Sequence, residues 1–312
     1  TASSTAASEA PAAASEAPAA AMPCASRAAR ARVFKRGHEI HILAFNALKL
    51  RVDREELQDE WDAAVLEFAT FDVLVISEVR ASDRIYKQRA ERLLQMLEDC
   101  TDDQWTHRVS EPSNDEVHMV IAKRPVDIVS VSTLHAVDGL SMDYAPVVAC
   151  LDDPRFVGEL RRFNVVGVHM PPKSSATRRS ERDAQIRKLC AAYPAQAELR
   201  GNAPFTNAAA KETRKKAPYT AHIICGDFNA SARELRELDV ERHGWEIVFG
   251  CVRTSSGGMA YDNFLVSRDA KDFLTLGGDV LDLTRYANFS RGQQGISDHA
   301  PIVLRLTEVP PM

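Results

Sequence analysis

Asp227 and Asn229 stand two residues apart in the string Gly226-Asp227-Phe228-Asn229, immediately behind the apolar run Ile223-Ile224-Cys225. Side chains two apart in an extended chain point the same way. If the extended form persists to Asn229, a carboxylate and a carboxamide face one space while Phe228 turns into the core. Such a pair offers an acceptor and a donor around a developing oxyanion. An isolated Gly-Asp-x-Asn is more often a plain turn, so the weight rests on how many other stretches end in the same manner. Asn46, Glu78 and His169 also lie at the ends of apolar runs, and Asp262 and Asp298-His299 lie where such runs begin. Glu78, Asp262 and Asp298, with Asn46 as a neutral oxygen donor, are hard ligands suited to Mg²⁺ or Mn²⁺ rather than zinc. A divalent ion serves phosphodiester chemistry by neutralising charge on the phosphorus oxygens, and His169 and His299 can transfer protons near neutral pH. His107 and His118 read as ordinary strand or loop residues, and the other histidines stay unassigned.

The elements that must position these groups alternate in type. Ile40-His41-Ile42-Leu43-Ala44-Phe45 reads as a strand ending on Asn46. Leu57, Trp61, Val65 and Phe68 then recur on one helix face. A second apolar strand over 71–76 leads to Ser77-Glu78-Val79-Arg80. Strand, helix and strand in succession predict an α/β architecture. Ala90, Leu93 and Leu97 mark another helix, and short strands follow at 106–110, 117–122 and 128–131, the last two joined around Pro125 as a hairpin. Strands are also expected at 146–151 and 163–168, with a helix around 182–192. Behind the Asp227 strand, Ser231-Ala232-Arg233-Glu234 has the spacing of a capping box, so a helix starts there.

Length and composition bound the rest. The 312 residues, 45% of them hydrophobic, can bury one large core, and a net charge of −5 supplies no global field to attract a polyanion. The six cysteines are scattered and form no Cys-x-x-Cys pair, so they read as reduced, buried thiols. No run is apolar enough to span a membrane, and a soluble monomer is expected. Residues 1–37 are low-complexity Ala, Ser, Pro and Glu with a basic end, expected to be a disordered linker or a processed targeting segment, which leaves the compartment open. Residues 38–312 form the expected catalytic domain. An insert at about 171–220 carries Lys211, Arg214, Lys215 and Lys216 among other cations.

Six ordered stretches carry a resemblance: Phe45-Asn46, Ile76-Ser77-Glu78-Val79-Arg80, Val168-His169, Gly226-Asp227-Phe228-Asn229-Ala230, Ala260-Tyr261-Asp262 and Ser297-Asp298-His299-Ala300-Pro301. Together they resemble the endonuclease/exonuclease/phosphatase superfamily, and within it deoxyribonuclease I most of all. The resemblance implies a four-layer sandwich, two packed central β-sheets flanked by helices, and a metal-dependent phosphodiesterase whose substrate is DNA. It makes Asn46 and Glu78 metal-site residues, with Asp298 as a further ligand or water-mediated contact. Asp227 and Asn229 would place the attacking water and a phosphate oxygen. His169 and His299 would be the acid/base pair, with Asp262 orienting His299. Glu116 is the nearest match for the partner of His169, and Glu111 stands as the alternative. Arg80 matches an arginine that contacts the nucleic-acid strand, and the cations of the insert would add to that contact.

The chain also departs from the family. Leu48, with Lys49 adjacent, stands where the family has an arginine, and Tyr144 replaces another. The deoxyribonuclease disulfide has no cysteines here, and only Asp138 and Asp143 match an acidic calcium loop, which puts secretion and a calcium requirement in doubt. The alternative activities are an inositol-phosphate or sphingomyelin-type phosphatase or phosphodiesterase of the same superfamily and, in a different class, a non-catalytic binding module.

Overall fold

The computed structural model describes residues 39–81, 85–137, 139–156, 161–197, 220–250, 252–255, 258–272, 274–283 and 295–309. The expected tail at 1–37, Asp138, and the cations Lys211, Arg214, Lys215 and Lys216 lie outside these described residues.

In chain order the first half runs β1 (Glu39–Asn46), α1 (Gln58–Phe68), β2 (Val73–Arg80), α2 (Tyr86–Cys100), β3 (Trp105–Val109), β4 (Glu116–Lys123), β5 (Asp127–Thr133), β6 (Ala136–Val137) and β7 (Leu140–Ser141). It continues with β8 (Val147–Asp152), β9 (Arg162–His169), α3 (Ala176–Ala197), β10 (Thr220–Asp227), α4 (Ala232–Glu237), β11 (Trp245–Ile247), β12 (Asp262–Ser267), β13 (Leu274–Val280) and β14 (Ile302–Glu308). Two six-stranded sheets result, ordered β13-β14-β1-β2-β4-β3 and β11-β12-β10-β9-β8-β5, with β6-β7 as a separate small hairpin.

Strand alternation sorts the side chains into three apolar cores. Between the sheets, Ile40, Ile42, Val73, Val75, Val120, Ile302 and Leu304 meet Ala149, Phe163, Val165, Ile223, Cys225, Phe264 and Val266. The opposite parity of the first sheet (Leu43, Phe45, Leu74, Ile76, Met119, Ile121) packs on Trp61, Val65 and Phe68 of α1 and Leu93 and Leu97 of α2. That of the second sheet (Val166, Val168, Ile224, Leu265) packs on Ile186, Leu189 and Cys190 of α3 and on Leu235 and Trp245. Helices, sheet, sheet and helices are thus the four layers.

One expectation fails. β4 and β5 are not a hairpin: β5 pairs antiparallel with β8 in the second sheet. Both edges of β4 are already taken, by β2 and by β3, so no ladder is open to β5. The chain turns tightly, with the Val126 amide donating to the Lys123 carbonyl at 3.0 Å, and changes sheet.

At the end of the sandwich away from the polar strand ends, Arg155 ties the layers together. It reaches Asp72 at 2.8 Å and grips both oxygens of the fully buried Asp153, Oδ1 through Nε at 3.0 Å and Oδ2 through Nη2 at 2.7 Å. The Asp72 carboxylate in turn accepts the His41 amide at 2.8 Å. Cys190 and Cys225 are buried thiols that burial pushes upward in pKa, while the Cys100 and Cys150 side chains are half-buried. No described helix is long and apolar enough to cross a membrane.

Candidate active site between the sheets

The parity that fills the inter-sheet core also delivers the polar groups. In β1 the inward residues are Ile40, Ile42 and Ala44, so Asn46 is next. In β10 they are Ala221, Ile223 and Cys225, so Asp227 is next. The same stepping gives His169 after Phe163 and Val165 in β9. Read backwards, it gives Glu116 before Val120 and Ala122 in β4, and Asp262 before Phe264 and Val266 in β12. β1 runs parallel to β2 and β9 to β10, whereas β4, β12 and β14 run against them. Ends of the first group and beginnings of the second therefore share one rim.

Glu78 breaks the parity. Val73 and Val75 face inward, so regular alternation would send Ser77 into the site and Glu78 away from it. A bulge between Ile76 and Val79 resets the register against β4, and Glu78 sits at φ +56. Such a bulge re-aims a side chain. Glu78 accepts from the Asn46 carboxamide at 2.7 Å and lies 3.3 Å from His169 Nε2.

Asn229 is also delivered differently from the sequence expectation. The extended form stops at Asp227, and Asn229 takes a left-handed φ of +47. Its amide donates to Asp227 Oδ1 at 2.7 Å, its Nδ2 donates to the Met170 carbonyl at 2.8 Å, and Asp227 Oδ2 lies 3.4 Å from that Nδ2. A side-chain-capped turn, and not strand alternation, puts the carboxylate beside the carboxamide. Phe228 is fully buried, and Ser231 and Glu234 form the capping box of α4.

Each histidine is backed by a carboxylate. His169 Nδ1 lies 2.8 Å from Glu116, and the His169 ring stacks on Tyr144 with centroids 4.6 Å apart. Glu111 instead meets His135 at 3.1 Å. Burial alone would depress the His169 pKa. The hydrogen bond to Glu116 and the charges of Glu116, Glu78 and Asp227 outweigh it and raise the pKa to about 9. His299 Nδ1 lies 2.7 Å from Asp262, and its Nε2 is 3.8 Å from Asp227. Here too burial opposes the proton, yet Asp262, Asp227 and Asp298 raise the pKa to about 10. Asp227 is pushed up to about 6 by burial and by the charge of Asp262, against the pull of both imidazoles.

Two sets of groups could take a cation. Asp227, Asp262 and His299 bring ligand atoms within 4.8 Å of one another, but a protonated His299 already places a positive charge among those carboxylates. Asn46, Glu78 and Asp298 are oxygen donors of the hard kind. The Ser297 hydroxyl donates to the Asn46 carbonyl and accepts the His299 amide at 2.9 Å, so Asp298 lies between two residues fixed at the rim. These groups are free of sulfur, which suits a hard divalent cation; among them the Asn46 Nδ2 faces Glu78 and the Asn46 Oδ1 accepts the Leu48 amide at 3.2 Å.

Arg80 pairs across the ladder with Glu116 and holds Asp115 at 3.2 Å, half-exposed beside the site. Within the insert, Arg178 is tied to Asp143 at 2.6 Å. Arg182 has a side chain only 1% exposed and donates to the Asn229 carbonyl, so it is no part of a solvated basic face. Tyr144 and Arg182 join the site without a local signal in the sequence. Behind His169, both ring nitrogens of the buried His118 lack a hydrogen-bond partner among the described residues, and burial pushes its pKa down to about 3.

No family model matches the sequence, and no curated protein sequence matches it. Solved structures do. An endonuclease/exonuclease/phosphatase from Beutenbergia cavernae superposes with a TM-score of 0.56 at 13% identity, over 87% of this chain and 72% of that one. The human Nocturnin catalytic domain with bound sulfate anion gives 0.56 at 16%, over 87% and 95%. D. rerio TDP2 complexed with single strand DNA product gives 0.54 at 14%, over 86% and 99%. At these identities the likeness is one of fold, and the fold is the deoxyribonuclease I-like sandwich of the endonuclease/exonuclease/phosphatase proteins.

Proposed function

We propose that this chain, built on that sandwich, is a divalent-metal-dependent phosphodiesterase, and specifically an endonuclease that cleaves DNA by attack of water in line with the leaving oxygen. The observation that carries the reading is the pair of carboxylate-backed imidazoles, Glu116–His169 and Asp262–His299, set at one rim around Asp227 and Asn229.

The charge states assign the roles. Both imidazoles have raised pKa values and enter neutral solution protonated, so they meet the phosphate as acids and as charge partners of its oxygens. Asp227, lifted to about 6, is mostly ionised at pH 7 and still basic enough to take a proton from water, which suits a general base. Asn229 Nδ2 gives one hydrogen to the Met170 carbonyl, and the other, 3.4 Å from Asp227 Oδ2, would turn to a phosphate oxygen. Asn46, Glu78 and Asp298 would hold the cation. When bound, that cation would neutralise charge on the phosphorus oxygens and steady the departing oxygen.

DNA as substrate is supported by the fold likeness to a protein solved with a DNA product and by the cation Arg80 beside Glu116. The cations of the insert, including Lys211, Arg214, Lys215 and Lys216, would extend the contact along the backbone. The test is conversion of supercoiled plasmid to the nicked form with Mg²⁺, with and without chelator, beside phosphate release from a phosphoinositide. Nicking that chelation abolishes is expected. Phosphoinositide turnover without nicking would overturn the DNA reading, and no turnover of either would overturn the enzyme reading.

A further inference from the structure

α3 presents Ile186, Leu189 and Cys190 to the outer face of the second sheet, and Arg182 stands one turn before Ile186 on that same face. A leucine or methionine would fill such a position without desolvating a charge. Buried ion pairs replaced by apolar residues are often neutral or stabilising, so packing alone does not call for arginine here.

The contacts of Arg182 show what does. Its Nη1 donates to the Asn229 carbonyl, its Nε and Nη2 hold Asp183 Oδ1 at 2.9 and 2.6 Å, and its Nη2 lies 3.3 Å from Glu234 Oε1. Glu234 also accepts the Ser231 amide at 2.8 Å, and it holds Lys173 Nζ at 2.7 and 2.9 Å. Lys173 Nζ in turn lies 4.7 Å from the centre of the Tyr261 ring. Tyr261 precedes Asp262, the partner of His299, and its carbonyl accepts the Phe228 amide at 3.0 Å. One chain of charged groups therefore runs beneath the site, from the Asp227–Asn229 turn to the residue before Asp262.

Asn229 needs such support. It is a non-glycine residue in left-handed backbone, a conformation that persists only where the surroundings over-determine it. Its amide is held by Asp227, its carboxamide by Met170 and its carbonyl by Arg182. Without Arg182 the carbonyl has lost its charged anchor, and the peptide between Asn229 and Ala230 can rotate.

We propose that Arg182 is a positioning residue of the active site: by anchoring the Asn229 carbonyl it holds the Asn229 carboxamide against Asp227, and through Glu234 and Lys173 it couples that turn to the Tyr261–Asp262 segment. The proposal rests on the functional reading above for its kinetic arm. Its structural arm is independent of that reading.

The experiment compares Arg182→Met, Arg182→Lys and Lys173→Met in the full chain by plasmid-nicking kinetics per folded molecule and by NMR hydrogen exchange of the Asn229 amide and carboxamide. A displaced carboxamide costs roughly 10²-fold in kcat. KM is expected to stay near the parent value, because the interaction lost is one made in the transition state. Arg182→Lys, which can still donate to one carbonyl, should recover part of the loss. Lys173→Met, which leaves Arg182 in place, should show a smaller loss in the same direction. In each case the Asn229 protons should exchange faster. Reduced thermal stability with parental kcat and parental Asn229 exchange would overturn the proposal, since the arginine would then only hold α3. If Arg182→Met does not fold, Arg182→Lys and Lys173→Met decide, and parental behaviour of both overturns it. If the parent has no phosphodiesterase activity, the functional reading fails alone and the exchange rates still decide the positioning role.

Discussion

Gly226→Ala is the sharpest test of how the backbone sets the site. Gly226 has φ +128, and a Cβ added there would lie 2.2 Å from the Val168 carbonyl oxygen. An ordinary carbon–oxygen approach needs about 1 Å more than that. Neither side yields easily. Val168 is fully buried against the α3 layer, and Gly226 and Val168 are register partners in the parallel ladder whose next pair is Asp227 and His169. The unfavourable φ costs about 1–3 kcal/mol, and forcing extra bulk into packed structure costs about 1–3 kcal/mol more. The expected loss is about 2–6 kcal/mol, against about 5–15 kcal/mol of stability for a typical domain. The opening also separates Asp227 from His169, and a shift of that size is worth roughly 10²-fold in rate.

Gly244→Ala is the control. Gly244 has φ +87 but nothing within 4 Å of the added carbon, so it bears the backbone term alone, about 1–2 kcal/mol. Urea unfolding of both variants, followed by tryptophan fluorescence, separates the steric from the conformational part. Plasmid nicking per folded molecule then reads the effect on the site. If Gly226→Ala were no less stable than Gly244→Ala, the clash would be absorbed elsewhere. The rigid coupling of Gly226 to the Asp227–His169 pair would then be wrong.

Other perturbations address other parts of the molecule. Glu78→Ala should leave the fold largely intact and cut nicking severely, most of all at limiting Mg²⁺, and near-normal activity there would remove Glu78 from the metal site. His169→Ala and His299→Ala should each abolish most turnover, with the double variant little worse than the worse single one; losses that simply multiply would refute their joint action. Both imidazoles have folded-state pKa values above the ordinary 6.5, so the stability their ion pairs contribute is complete below about pH 6.5 and is lost as the pH rises through about 9 and 10. A urea midpoint that stays flat from pH 7 to about pH 10 would contradict this, and Glu116→Gln should remove the part of the decline near pH 9. Arg155→Met strands the fully buried Asp153 and should cost about 3–5 kcal/mol in urea unfolding, with the nicking rate per folded molecule unchanged because Arg155 stands at the far end of the sandwich.

Most of the strand ends were legible because one rule of period two covers them: whichever parity fills the inter-sheet core also places Asn46, His169, Asp227 and Asp262 at its end. The capping box at Ser231 was legible for a similar reason, since its two hydrogen bonds depend only on residues three apart. The β4–β5 pairing is not legible in the sequence because a short turn around Pro125 looks the same whether the chain stays in its sheet or crosses to the other. Only the occupied edges of β4 decide that, and they are set by β2 and β3. Arg182 falls within the stretch 171–220 that reads as a basic insert, because nothing in its neighbours along the chain distinguishes a buried arginine from a solvated one. Its partners Asn229 and Glu234 lie 47 and 52 residues away.

Two residues whose placement alternation could not give, Glu78 and Asn229, are both non-glycines at positive φ. That coincidence follows from what the site needs. A sheet sends side chains straight out from its faces, so groups from two sheets that crowd one small anion, as the proposed reaction requires, cannot all come from regular strands. At least one strand on each side has to break its pattern to turn a side chain toward the middle. In the first sheet the break is the bulge at Glu78, and in the second it is the turn at Asn229. A local rule is violated where the proposed function requires it, and the cost is met by contacts from elsewhere in the fold. For Glu78 these are the Asn46 carboxamide and the Lys49 amide on its own carbonyl. For Asn229 they are Met170 and Arg182. The same reasoning settles the partner of His169. With the β2 bulge in place, Arg80 pairs with Glu116, and Glu116 shares the inward parity of Val120 and Ala122, whereas Glu111 lies before β4 begins and cannot be delivered by it.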